Sequence, residues 1–225
     1  MLPVRDSIFY HGPALGTKMV LYTCMLVFFF QLSRGPAAFG DSIYAWGFVP
    51  VSFWANPGGE SWRIFSSMFM HGSLGHLFGN LWFLWVFAPA VEGKLGAKRF
   101  LLLYFIAGAG AALLQGSFMP ASSLPMVGAS GAISGVLGAY LVIFPRAFIL
   151  TLVPPFIFFS FWVPAFFYLG YWAFLQLLYG LLGLPGVAWW AHLGGFLLGA
   201  SLVPFVRPRR RYRADPFWEC WRGYC

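Results

Sequence analysis

Apolar residues collect into six stretches along the 225-residue chain, separated by short segments in which glycine, proline or charge gathers. The first runs from about Met19 to Leu32 and can extend toward Phe39. The second spans about Leu74 to Val91, and the third about Phe100 to Gln115. The fourth covers about Ser130 to Phe144, the fifth about Val163 to Leu182 and the sixth about Ala188 to Val206. A helix crossing a bilayer needs about 20 predominantly apolar residues, and the fourth stretch falls short of that. The pattern predicts an all-α membrane protein, a bundle of six transmembrane helices with a short fourth one. A seventh apolar region, Ala147 to Trp162, is interrupted by Pro154-Pro155 and is expected to be an interfacial connection.

Composition supports this choice of solvent. Hydrophobic residues make up 60% of the chain and charged residues 9%, where a soluble domain carries about 25% charged residues. The charges are also placed unevenly. Lys94, Lys98 and Arg99 fall between the second and third stretches, and Arg146 follows the fourth. Arg207, Arg209, Arg210, Arg211 and Arg213 follow the sixth, while the connections 116–127 and 183–187 carry no charge. Segments rich in Lys and Arg stay on the cytoplasmic side. Both termini are therefore expected inside, Arg5 and Lys18 marking the first, while Arg34 and Arg63 fall on the predicted outer side. This divides the chain into a six-span unit, 1–206, and a basic cytoplasmic tail, 207–225.

The net charge of +8 then reads as topology and contact with anionic lipid, not as a nucleic-acid surface. The first ~18 residues lack the apolar core and small-residue cleavage site of a removable leader. Cys24 lies in a span, Cys220 and Cys225 lie in the tail, and their spacing matches no common metal site. No metal and no cofactor is expected.

Ionisable residues inside a span are costly and are functional candidates by default. Asp and Glu stay outside the spans or at their ends, which leaves His76 and His192, joined by the uncharged Asn80 on the His76 face one turn later. Each alone has a plain structural reading as a hydrogen bond between helices, as does a lone serine beside glycine. Their convergence with Gly128-Ala129-Ser130-Gly131, at the start of the short fourth stretch, points to a serine nucleophile with a histidine base and no aspartate. A short span would start below the membrane surface, with Ser130 at the bottom of a water-filled cavity. Gly131, Gly135 and Gly138 fall near one face of the fourth stretch, and Gly195 and Gly199 form a GxxxG pattern on the sixth. Small residues at this spacing let helix backbones approach closely, which would bring Ser130 and His192 together.

At this point the residues resemble a known family. Gly128-Ala-Ser-Gly131 is similar to the GxSG motif of rhomboid intramembrane serine proteases. Glu60-Ser-Trp-Arg63 resembles the family's Trp-Arg signature, and His71 through Asn80 (HGSLGHLFGN) its second-span motif. Glu92 to Gly96 resembles the turn that follows. Trp189 to Gly199 (WWAHLGGFLLG) resembles its sixth-span motif. The resemblance implies a six-helix rhomboid bundle with an interfacial first outer loop, shaped in part by Trp62 and Arg63, and His71 is expected to be structural. It implies cleavage of single-span membrane proteins by a Ser130–His192 dyad, with His76 and Asn80 as oxyanion donors. A bacterial inner membrane suits the charge pattern. Some relatives carry an aromatic residue four positions after the serine, stacked on the histidine; here Ser134 stands there, so glycine packing or another aromatic must orient His192.

Other classes fit less well. HExxH, as in zinc-dependent enzymes, and paired span aspartates do not occur, and GxSxG fails at Ala132. Transporter-like pathway charges and repeat symmetry are also missing. The alternative is a rhomboid-like pseudoprotease that binds membrane helices without cutting them. Such a protein would lack the serine or the histidine, and this chain keeps both.

Overall fold

The computed structural model describes residues 1–10, 12–153 and 156–206. The basic tail 207–225, with Cys220 and Cys225, and the Pro154-Pro155 pair lie outside the described residues. Each of the six expected stretches is helical: α1 (Leu15–Ser33), α6 (Leu74–Leu95), α7 (Ala97–Phe118), α8 (Ser130–Ile143), α9 (Ala165–Leu181) and α10 (Trp189–Leu202), the last continued by a 3₁₀ turn, Val203–Phe205. Of these, α1, α6 and α7 are long and apolar enough to cross a membrane by themselves. The connection from α1 to α6 carries four short helices, α2 (Pro36–Trp46), α3 (Pro50–Ala55), α4 (Pro57–Glu60) and α5 (Trp62–Ser66). The first span does not run on toward Phe39. Gly35, at φ 84°, ends it, and Pro36 opens α2 at the position where a missing N–H costs nothing.

The fold is mostly helical, yet an all-α reading is wrong. Three strands, β1 (Leu2–Asp6), β2 (Phe148–Val153) and β3 (Phe156–Pro164), form an antiparallel sheet in the order β1-β2-β3. The apolar region after the fourth span, expected as an interfacial connection, is folded as two antiparallel strands. Its run of β-branched and aromatic residues suits a pleated surface, and β1 supplies a third strand from the far end of the chain, pairing Leu2 with Leu152 and Asp6 with Ile149.

Side chains of three helices pin β1 to the bundle. Trp82 Nε1 on α6 donates to the Pro3 carbonyl at 2.6 Å. Tyr140 on α8 donates its hydroxyl to Asp6 Oδ2 at 2.9 Å, and Tyr168 on α9 donates to the Met1 carbonyl at 3.2 Å. Packing over the Asp6 carboxyl strips it of water and raises its pKa to about 7, against the lowering pull of the Tyr140 hydrogen bond. A carboxyl raised on folding contributes stability that is complete below its ordinary value near 4 and lost as pH rises through about 7. Detergent-solubilised protein is accordingly expected to unfold at lower temperature at pH 8 than at pH 5. Asp6→Asn keeps an acceptor for Tyr140 and should recover of order 1 kcal/mol at pH 8. An unchanged pH slope in that variant would assign the effect elsewhere.

A second long-range contact holds the start of α1. Its N-terminal residue Ala14 offers no side-chain cap. Instead Glu92, 4% exposed on α6, accepts from the Gly16 and Thr17 amides at 2.8 and 2.7 Å and from the Thr17 hydroxyl at 2.7 Å. A carboxylate at the positive end of a helix satisfies donors that the helix itself leaves orphaned.

The core is centred on α8, where every residue from Ala132 to Tyr140 is buried. At about 1.5 Å per residue its 14 residues extend roughly 21 Å. Ser130 stands at one end, and the sheet lies beyond the other.

Candidate active site

Three elements meet at Ser130. The first is the turn into α8. Gly128 has φ +120°, a conformation L side chains rarely adopt, and its amide donates to the Ser67 carbonyl at 2.9 Å. A Cβ on Gly128 would lie 2.6 Å from His76 Nε2 and 3.4 Å from Asn80 Nδ2. Glycine is thus required here for both backbone conformation and close approach.

The second element is the start of α6. Ser73 caps it by accepting from the His76 amide at 3.1 Å, which fixes His76 in the first turn and Asn80 one turn on. Asn80 is 6% exposed, and its Nδ2 is a buried donor with no partner among the described residues. An unpartnered buried amide costs free energy, about 1–3 kcal/mol, so its retention beside Gly128 asks for an explanation. His71, fully buried, lies edge-on to His76 with ring centroids 5.2 Å apart and places Nδ1 3.2 Å from the Phe69 carbonyl.

The third element is α10, pressed against α8 without intervening side chains. A Cβ on Gly195 would collide with the Gly131 carbonyl oxygen, one on Gly199 with that of Gly135, and one on Gly138 with that of Phe196. Gly131 and Gly135 also face the Ala111 and Ala107 methyls of α7. The glycines of α8 and α10 thus meet along a seam, and at its start a Cβ on Gly131 would lie 3.9 Å from the carbonyl oxygen of Ala191, the residue before His192. Because the obstructing atoms are backbone, Gly199→Ala must push the helices apart. We expect a loss of about 1–3 kcal/mol. His192, two turns up the same helix, would move with it, lowering any activity by about 100-fold. Thermal unfolding in detergent at the wild-type temperature would refute the seam's importance.

Ser130, His192, His76, Asn80 and Gly128 all line one cavity of about 1010 Å³. Among the described residues, the ring of His192 is hydrogen-bonded through Nδ1 to Gln176 Oε1 at 2.8 Å, and Ser130 is not in hydrogen-bond contact with Nε2. Such contacts are often long before substrate arrives. The position four residues after Ser130 is not aromatic: Ser134 is buried and donates back to the Ser130 carbonyl at 2.7 Å. Aromatic neighbours of His192 come from elsewhere. Trp172 lies tilted 32° to it at 6.1 Å, and Trp189 lies edge-on at 6.3 Å. Trp62 and Arg63 stand outside the cavity wall. Arg63 sits over the Trp62 ring and pairs with Glu60 at 3.0 Å, and Trp62 packs edge-on against Trp46.

Sequence reasoning missed the glutamines. The chain has three, Gln31, Gln115 and Gln176, and all are buried. Gln31 accepts from the His71 amide, Gln115 from the Ala191 amide in the first turn of α10, and Gln176 meets the His192 ring. A single glutamine in each of three apolar helices was the available signal.

Comparison with known proteins agrees with this architecture. The Rhomboid domain model matches residues 58–209. Rhomboid protease GluP of Bacillus subtilis (strain 168) is 34% identical over 137 residues, covering 61% of this chain and 26% of the relative. RHOMBOID-like protein 1 of Arabidopsis thaliana is 34% identical over 177 residues, 73% of this chain and 39% of the relative. Rhomboid protease GlpG of Salmonella newport (strain SL254) is 33% identical over 132 residues, 56% and 42% of the two. The chain thus spans well under half the length of these relatives. With a family model matched over most of its length and protease-named relatives, the chain is an integral membrane protein that belongs to the rhomboid family.

Proposed function

We propose that this protein is an intramembrane serine endopeptidase that cleaves transmembrane segments of single-span membrane proteins. The observation that carries this reading is the shared cavity, in which a serine, a histidine and an unpartnered buried amide donor converge. Ser130 Oγ attacks the peptide carbonyl while His192 Nε2 takes its proton and later delivers it to the leaving amine. The tetrahedral oxyanion develops beside Gly128, where Asn80 Nδ2 and His76 Nε2 approach from α6 and the free amides of the first turn of α8 add their dipole. Water then hydrolyses the acyl-enzyme by the same pair.

In this reading α8, α9 and α10 cross the membrane with the three longer helices, giving six spans with Ser130 sunk below the outer surface. Both termini and the sheet lie in the cytoplasm, and the basic loops contact anionic headgroups. A bacterial inner membrane is the compartment that the charge pattern suits. A helix-binding pseudoprotease would have no use for the intact Ser–His pair. The test is to incubate the purified, detergent-solubilised chain with a model single-span substrate, and in parallel with a serine-directed fluorophosphonate. Cleavage and labelling at Ser130 support the reading; a protein that does neither sinks it.

A further inference from the structure

A dyad without aspartate leaves one task open: something must hold the imidazole in the tautomer whose Nε2 can accept a proton. An untethered neutral histidine is free to carry its proton on either nitrogen. Gln176, on α9 and 6% exposed, touches the ring at this point, its Oε1 lying 2.8 Å from His192 Nδ1. The amide cannot be turned round. Its Nε2 donates to the Trp172 carbonyl at 3.1 Å, and the flipped amide would set two acceptor oxygens against each other. Oxygen therefore faces Nδ1, an oxygen of this kind only accepts, and Nδ1 must be the nitrogen that bears the proton. Nε2 is left with its lone pair. Trp172, one turn earlier on α9, tilts over the same ring, so a single helix supplies both the hydrogen bond and an aromatic contact.

We propose that Gln176 is the positioning residue of His192, fixing with a neutral side-chain carbonyl the tautomer that a carboxylate fixes in three-residue sites. The proposal rests on Ser130 and His192 acting as a dyad. It also accounts for the choice of side chain. A carboxylate at this depth between apolar helices would carry a desolvation cost of several kcal/mol, and an amide gives the same directional acceptor without a charge.

The test uses full-length, ¹⁵N-histidine-labelled protein in detergent, with the His192 signals identified by their loss in His192→Ala. In the wild type Nδ1 is expected to be of the proton-bearing, pyrrole type. Gln176→Leu should lose that preference and lower kcat on a model single-span substrate by about 10- to 100-fold at unchanged KM. Gln176→Glu in its protonated form can give its hydroxyl to the Trp172 carbonyl and keep an oxygen acceptor on Nδ1, and should retain at least about tenfold more turnover than the leucine variant. The proposal is overturned by a proton on Nε2 in the wild type. It is equally overturned by a leucine variant that keeps the wild-type tautomer, whatever happens to its rate, since the glutamine would then serve packing alone. Should Gln176→Leu fail to fold, the wild-type tautomer and the glutamate variant decide. A wild type that cleaves nothing would remove the dyad reading, yet the nitrogen signals would still report whether Gln176 sets the tautomer.

Discussion

Ser130→Ala is expected to lower cleavage of a model single-span substrate by about 10⁴-fold or more and to abolish fluorophosphonate labelling, with the unfolding temperature little changed. The reason is chemical: the acyl-enzyme route needs an oxygen that can attack and leave, and in the proposed dyad Ser130 is its only source. Ser134, the nearest candidate in sequence, is buried and already spends its proton on the Ser130 carbonyl. His192→Ala should cost a similar factor. Residues that act as a unit are strongly non-additive, so the double variant should be no worse than either single one. Losses that instead multiply would mean that serine and histidine act independently, and full activity in Ser130→Ala would falsify the nucleophile.

Asn80→Ala should lower kcat by about 100- to 1000-fold with little change in KM, the range seen when one preorganised oxyanion donor is removed. Stability should move differently from activity. Nδ2 of Asn80 is buried without a partner, and deleting an unsatisfied donor relieves a penalty of about 1–3 kcal/mol, offset by the small void left behind. The variant is therefore expected to unfold at or slightly above the wild-type temperature while turning over poorly. A lowered unfolding temperature in step with the lost rate would make Asn80 a structural residue. Measuring both on the same preparation separates the two roles.

The helices and their glycine seam were legible because both are local patterns: apolar runs of helical length, and small residues spaced to share a face. Gly128, Ser130 and His192 stood out for the same reason, as polar or flexible positions in an apolar background. Two things were hidden. The sheet depends on residues 2–6 meeting residues 148–164, a pairing with no periodic trace, and the apolar hairpin reads equally well as a membrane-surface connection. The glutamines were visible as letters, but their meaning is relational. Gln115 and Gln176 become part of the site only once α7 and α9 are packed on the first turn of α10. A polar residue inside an apolar helix announces that it has a partner without saying which.

The order of the strands bears on how the chain is made. β1 precedes the helices along the chain, yet its partner β2 is separated from it by four of the six major helices. Until residue 153 has been made and released, residues 2–6 have no sheet to join, so α1, α6, α7 and α8 are made before β1 can pair. Pairing over so long a stretch of chain is entropically slow. Because Tyr140 donates to Asp6 at the end of β1, closure of the strand ties the helix carrying Ser130 to a sheet that cannot form before β2 is made.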